Sequence, residues 1–278
     1  MRRGRTRALG VARSTPTGRA PTPAIEFARW IVWEDEGLLA VDKPAGVLSQ
    51  GGEDPSAVNL VDLARAHLGV RSVGVLHRID RNVSGLVLIA KHSRAASAMS
   101  RLFRDGAVQR EYRAIVRGHP PADAFTLDAW LAKDERAREV HAATAADLAR
   151  MSDAMRRRYR PARTEALVVR RLRAPLGSCA ELSLRPITGR SHQLRAHLAH
   201  AGLPIVGDPK YGVRARGLDR PLLHAARIAF THPRTGTRIV IASLVPWNDA
   251  TLLSLTTPAA STRGRFGGVR ERARPEEE

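Results

Sequence analysis

Two periodicities run along the chain and place most of its elements. Short apolar runs at 31–34 and 38–42, separated by Asp35-Glu36-Gly37, predict two strands joined by a tight turn. Lys43-Pro44-Ala45-Gly46 ends the second, because proline and glycine interrupt a strand and turn the chain. Leu86-Val87-Leu88-Ile89-Ala90 is apolar at every position and predicts a buried strand. From 110 to 117 the pattern alternates: Tyr112, Ala114 and Val116 share one face, and Glu111, Arg113, Ile115 and Arg117 the other. Residues 164–172 and 179–187 pair around Pro175-Leu176-Gly177, and 223–230 and 238–244 form a closing hairpin around His232-Pro233-Arg234-Thr235-Gly236.

Helical spacing occurs in three places. Asn59 caps a helix whose apolar face holds Leu60, Leu63, Ala64 and Leu68. Ser93 caps a second, with Ala95, Ala96, Met99, Leu102 and Phe103 inward and Arg94, Arg101 and Arg104 outward. The third spans 191–201, with Gly202 suited to its C-terminal cap. Residues 133–162 are charged and alanine-rich without a clear apolar stripe, and read as a mobile insertion with a short helix. No internal repeat is visible.

Composition adds the partner. Lys and Arg number 46 against 27 acids, a net charge of +19, which points to a polyanion, most simply nucleic acid, over a merely solubilising basic surface. Aromatics are 4% of the chain, so contacts should be made mainly to phosphates. Cys179 is the single cysteine, which excludes an intramolecular disulfide and a cysteine-rich metal site. No run approaches the length of a membrane span. Residues 1–24 carry six arginines and no acid, and read as a disordered basic arm. A flexible RNA-gripping arm or a mis-called start codon is preferred there to an organelle transit peptide, while a secretory signal lacks its apolar core. Residues 257–278 read as a disordered polar tail, leaving 25–256 as one domain.

Chemistry concentrates in two stretches. In His77-Arg78-Ile79-Asp80-Arg81-Asn82-Val83-Ser84-Gly85 one carboxylate lies between two arginines just before the buried strand. Guanidinium groups on either side favour its ionised form, fit for a nucleophile or base; a surface ion pair is the plainer alternative. In Thr188-Gly189-Arg190-Ser191-His192-Gln193-Leu194-Arg195-Ala196-His197 a turn leads into a helix, placing an anion site at its start and Arg195 one turn along. His192, His197 and His200 are not spaced for one helical face and have no acid beside them, which argues against metal. The chain has no Walker motif, no Gly-x-Ser-x-Gly and no Asp-Phe-Gly, which removes P-loop, serine-hydrolase and kinase readings.

These residues resemble a family. His77-Arg78-Ile79-Asp80-Arg81 followed by Ser84-Gly85-Leu86 is similar to the signature of the RluA-type RNA pseudouridine synthases. So, in family order, are Lys43-Pro44-Ala45-Gly46, Glu111-Tyr112-Arg113-Ala114, Pro161-Ala162-Arg163-Thr164, the stretch from Thr188 to His197, Gly207-Asp208 with Tyr211-Gly212, and Leu222-Leu223-His224-Ala225 with His232-Pro233. The resemblance covers residues 29–248. Ile79 replaces the usual leucine, Asn82-Val83 stand where a threonine is common, and Asp42 replaces asparagine. There is no room for the separate N-terminal S4 RNA-binding domain of some members.

The resemblance implies an α+β fold: a bent, mainly antiparallel sheet with flanking helices and loops around a basic cleft. It implies isomerisation of uridine to pseudouridine in ribosomal RNA or tRNA, with no cofactor and no metal, by a cytoplasmic monomer that binds no membrane. Carried over residue by residue, Asp80 is the catalytic aspartate, acting on the substrate directly or by taking a ribose proton. Tyr112 stacks on the flipped uracil. Arg195 pairs with Asp80, Arg78 helps extrude the target nucleotide, and Arg190 and His192 are further cleft residues. The rival classes are a non-catalytic RNA-binding or ribosome-assembly factor on the same fold, and an RNA hydrolase, whose metal cluster or acid–base pair is not visible.

Overall fold

The computed structural model describes residues 27–255, so the expected basic arm and polar tail lie outside the described residues. Eleven strands form one sheet: β1 (Ile31–Glu34), β2 (Leu38–Lys43), β3 (Gly74–Val75), β4 (Ser84–Ala90), β5 (Gln109–Arg117), β6 (Ala124–Asp134), β7 (Glu139–Ala143), β8 (Arg160–Ala174), β9 (Gly177–Pro186), β10 (Leu223–Thr231) and β11 (Arg238–Ala242). Their order is β1-β2-β4-β10-β5-β9-β8-β6-β7, with β3 also beside β4 and β11 beside β10. Among the strand pairs of the described residues, only β4–β10 is parallel. The sheet is therefore mainly antiparallel, and register shifts in β8 and β10 mark the irregularities at which strands bend.

Helices lying wholly within the described residues are α1 (Leu60–Leu68), α2 (Ser93–Arg104), α3 (Ala145–Ala149), α4 (Asp153–Arg156), α5 (Gln193–His200) and α6 (Asp249–Leu253). β4 shows why its sequence is apolar throughout. Val87 and Ile89 face one core with Leu39, Val41, Tyr112 and Leu184. Leu86, Leu88 and Ala90 face a second core closed by Met99 and Phe103 of α2. α1 is capped as its sequence predicts, the Asn59 side chain accepting from the Asp62 amide.

Three expectations are corrected. α2 is capped by His92, whose Nδ1 accepts from the Ala95 amide at 3.2 Å, so Ser93 is its first helical residue. α5 starts at Gln193 and not at 191, because His192 has a left-handed backbone (φ +48°) that cannot continue a helix. Residues 133–162 are built into the sheet edge: β7 pairs with β6, and α3 and α4 follow, capped by Thr144 and Ser152. The apolar stripe was invisible because β7 buries only Val140 and Ala143.

The β4–β10 contact is unusually close. Gly85 lies opposite Ala225 with φ +113°, and a Cβ there would stand 2.4 Å from the Ala225 carbonyl oxygen. Gly85→Ala should therefore lose about 3 kcal/mol or more, combining overpacking with a disfavoured backbone conformation. Denaturant unfolding checks this; a loss below about 1 kcal/mol would mean the two strands separate easily.

Candidate active site

The loop that carries Asp80 is moulded by the segment after β2. The Val83 amide donates to the Asp80 carbonyl at 3.0 Å, closing the turn. The Arg81 carbonyl accepts from the Gly46 amide (2.8 Å) and from the Lys43 ammonium (3.1 Å), and Arg81 Nε donates back to the Gly46 carbonyl (2.9 Å). Ser49 accepts from the Ile79 amide and donates to the Ile79 carbonyl at 2.8 Å. The Lys-Pro-x-Gly turn thus acts as a template for residues 79–83.

Lys43 is fully buried, and it also donates to the Pro44 and Val47 carbonyls, so all three ammonium hydrogens have acceptors. Burial pulls its pKa down to about 7, with the Asp80 charge opposing and Arg220 assisting. Between about 7 and the ordinary 10.5 the folded state then holds fewer protons than the unfolded one, so stability rises with pH across that window. Measured against Lys43→Met, wild-type unfolding free energy should rise by about 1–3 kcal/mol from pH 7 to 9. An unchanged difference would show that the three carbonyls keep the ammonium charged.

Arg195 comes from α5, one of six consecutive residues, 193–198, that are buried in this helix. Its Nε and Nη2 grip Asp208 at 2.7 and 2.8 Å, and its Nη1 donates to Asp80 Oδ2 at 2.8 Å. Burial works against its charge, but the Asp208 bonds and then Asp80 outweigh it and hold its pKa above the ordinary value. Burial likewise pushes Asp208 up, and its bonds from Arg195 and from the Lys210 and Tyr211 amides hold it below the usual carboxylate range. The result is one cation fixed between a buried structural carboxylate and the half-buried Asp80.

A second chain of bonds converges on the other oxygen of Asp80. The Val140 amide donates to the Tyr211 hydroxyl at 2.7 Å, and the same hydroxyl is hydrogen-bonded to His192 Nδ1, also at 2.7 Å. His192 Nε2 then faces Asp80 Oδ1 at 3.9 Å. Burial lowers the His192 pKa against the pull of Asp80, which favours the neutral ring. The Arg195 guanidinium also lies over the Tyr211 ring, 4.9 Å from its centroid.

Asp80, Tyr112, Arg195, Arg78, Arg190 and His192, the residues singled out from sequence, all line one pocket of about 90 Å³. Tyr112 is a buried wall of that pocket, with its phenol pKa raised by burial. The pocket opens into a cleft of about 730 Å³ lined by Arg78, Arg104, Arg110, Lys133 and Arg190, with Asp80 its one carboxylate. The flanking arginines do not pair with Asp80: Arg78 and Arg81 are exposed, and Arg81 Nε is occupied by Gly46. The partner is Arg195, 115 positions away.

Sequence reading gave no role to Asp208, Tyr211 or Ser49. A signal for the first two was present in Gly207 and Gly212. A Cβ at Gly212 would lie 2.0 Å from the Ile205 carbonyl oxygen, so the turn that presents Asp208 and Tyr211 admits only glycine there. Gln193 is a further fixed point. It accepts from the Thr188 hydroxyl and the Arg190 amide and donates to the Arg163 carbonyl and Thr164, tying the turn before α5 to β8.

Comparison with known proteins bears on what this arrangement does. A family model described as RNA pseudouridylate synthase matches residues 37–200, more than half of the chain. Ribosomal large subunit pseudouridine synthase D of Zymomonas mobilis is 34% identical over 233 residues, 78% of this chain and 69% of that protein. Ribosomal large subunit pseudouridine synthase C of Haemophilus ducreyi is 31% identical over 258 residues, 88% of this chain and 76% of that protein. The solved structure of human RNA pseudouridylate synthase domain containing 1 shares the fold, with a TM-score of 0.65, 23% identity, and coverage of 84% of this chain and 90% of that one.

Proposed function

The chain belongs to the RNA pseudouridylate synthase family and isomerises uridine to pseudouridine in RNA; on that premise we propose that its substrate is large-subunit ribosomal RNA and that Asp80 carries the reaction without a cofactor. The observation behind the second part is the Asp80 carboxylate itself. Arg195 holds Oδ2, Oδ1 is left to His192 at 3.9 Å, and Asp80 lines the pocket that Tyr112 walls. A uridine turned out of its strand lays its base on the Tyr112 ring. Asp80 Oδ1 then attacks the nucleotide or takes a ribose proton. The N1–C1′ bond breaks, the uracil turns, and C5 bonds to C1′. The C5 proton leaves and N1 gains one, so the product is an isomer. His192 Nε2 stands beside the reacting oxygen, and Arg78 and Arg190 hold the strand on either side of the pocket. In this reading the protein works as a monomer in the cytoplasm, and tRNA is the other class of substrate.

Tritium release from RNA labelled at uracil C5 tests this, since isomerisation displaces that hydrogen without cutting the strand. Release is expected from a large-subunit ribosomal RNA transcript. Release from tRNA alone would move the substrate to the other class, and strand cleavage without release would point to hydrolysis.

A further inference from the structure

Arg110 differs from Arg78, Arg104 and Arg190 of the same cleft in being half-buried where they are exposed. It lies on β5 two residues before Tyr112, and it lines both the small pocket and the larger cleft. Its guanidinium carbon is 6.0 Å from the centroid of Phe103, and its Nε is buried without an acceptor. Among the described residues no carboxylate pairs with it, whereas Arg113, on the opposite face of the same strand, is paired with Glu181 at 2.7 Å. The terminal nitrogens lie beside Gly189. A Cβ there would stand 3.6 and 3.7 Å from Nη2 and Nη1, and a longer side chain would cover them. His77 supplies a second donor without an acceptor nearby. Its Nε2 accepts from the Leu88 amide at 3.1 Å, so Nδ1 bears the hydrogen, and that atom is buried and unpaired. The His77 ring packs on the same Phe103, with 5.3 Å between centroids.

A half-buried guanidinium without a counter-charge is unfavourable unless a ligand supplies one. The cleft runs to the pocket past this residue, and a strand whose nucleotide enters the pocket carries its charged backbone across the same edge. We propose that Arg110 binds a phosphodiester of the RNA at the point where the target nucleotide leaves the cleft for the pocket. Gly189 is the opening that admits that phosphate. The inference rests on the RNA-isomerase reading, and its test is chosen to be read separately from turnover.

The test measures binding of the full-length protein to a large-subunit ribosomal RNA transcript at several salt concentrations, with melting temperature recorded alongside. Arg110→Gln should weaken binding roughly tenfold at low salt and reduce the log–log salt slope by about 0.7–0.9, the loss of one phosphate contact. Arg110→Lys should recover most of that slope. Gly189→Leu, which keeps the charge but covers it, should behave like Arg110→Gln. If Arg110→Gln and Gly189→Leu both bind with wild-type slope and affinity, Arg110 is only packing on Phe103 and the proposal falls. Should Arg110→Gln fail to fold, Gly189→Leu alone decides in the same two ways. Tritium release is scored in the same samples: its absence in wild type overturns the reading of activity, while the salt slopes still report on Arg110.

Discussion

Asp80→Asn should lose tritium release by more than about a thousandfold while still binding RNA and melting near the wild-type temperature. The amide is nearly isosteric with the carboxylate and can still accept from Arg195 Nη1, now 2.8 Å from Oδ2. What it loses is the anion, which is needed whether Asp80 attacks the nucleotide or removes a proton. Folding is spared because Asp208, completely buried, goes on neutralising Arg195 through two bonds. Turnover within about tenfold of wild type would remove Asp80 from the reaction, since an essential nucleophile or base is worth far more than that.

Arg195→Met should damage two things at once. It frees Asp80 from the group that aims it, and it strands the Asp208 charge in the interior. Breaking a buried ion pair from one side typically costs about 3–5 kcal/mol, so the single variant should unfold early as well as react slowly. The two effects separate in a double variant. Arg195→Met with Asp208→Leu removes both buried charges and should recover much of the stability, because an apolar pair can replace a buried ionic one. It should recover none of the tritium release. Arg195→Lys should fall between: an ammonium cannot make the fork to Asp208 and reach Asp80 from a third nitrogen. Recovery of activity in the double variant would show that Arg195 supports the fold and does nothing for Asp80.

Much of this was legible in the sequence, and the physical reasons for the gaps differ. Alternation and continuous apolar runs place β2, β4, β5 and β10, whose faces are buried as the pattern implies. β7 escaped because a short edge strand with two buried residues leaves almost no period. The true cation on Asp80 could not be read from its neighbours. Arg78 and Arg81 flank Asp80 in sequence, yet both are exposed; Arg195 was reached only through the likeness of the whole stretch to a family. Arg110 was visible as a residue on the Tyr112 face of an alternating strand. Nothing in the sequence said that no acid would come to meet it.

The position of β10 in the sheet bears on when the enzyme becomes competent during its own synthesis. β10 is among the last strands made, yet it lies between β4 and β5 at the centre of the sheet. Asp80 precedes the strand on one side of it, and Tyr112 stands on the strand at the other. Until Leu223–Thr231 has left the ribosome, the first four strands and the β5–β9 group are two half-sheets with unsatisfied edges. Joining them closes a loop of more than a hundred residues, from Ser84 to His224, a slow step that local structure cannot anticipate. The nascent chain therefore carries Asp80, Tyr112 and Arg195 before it has the strand that joins the two halves of their site.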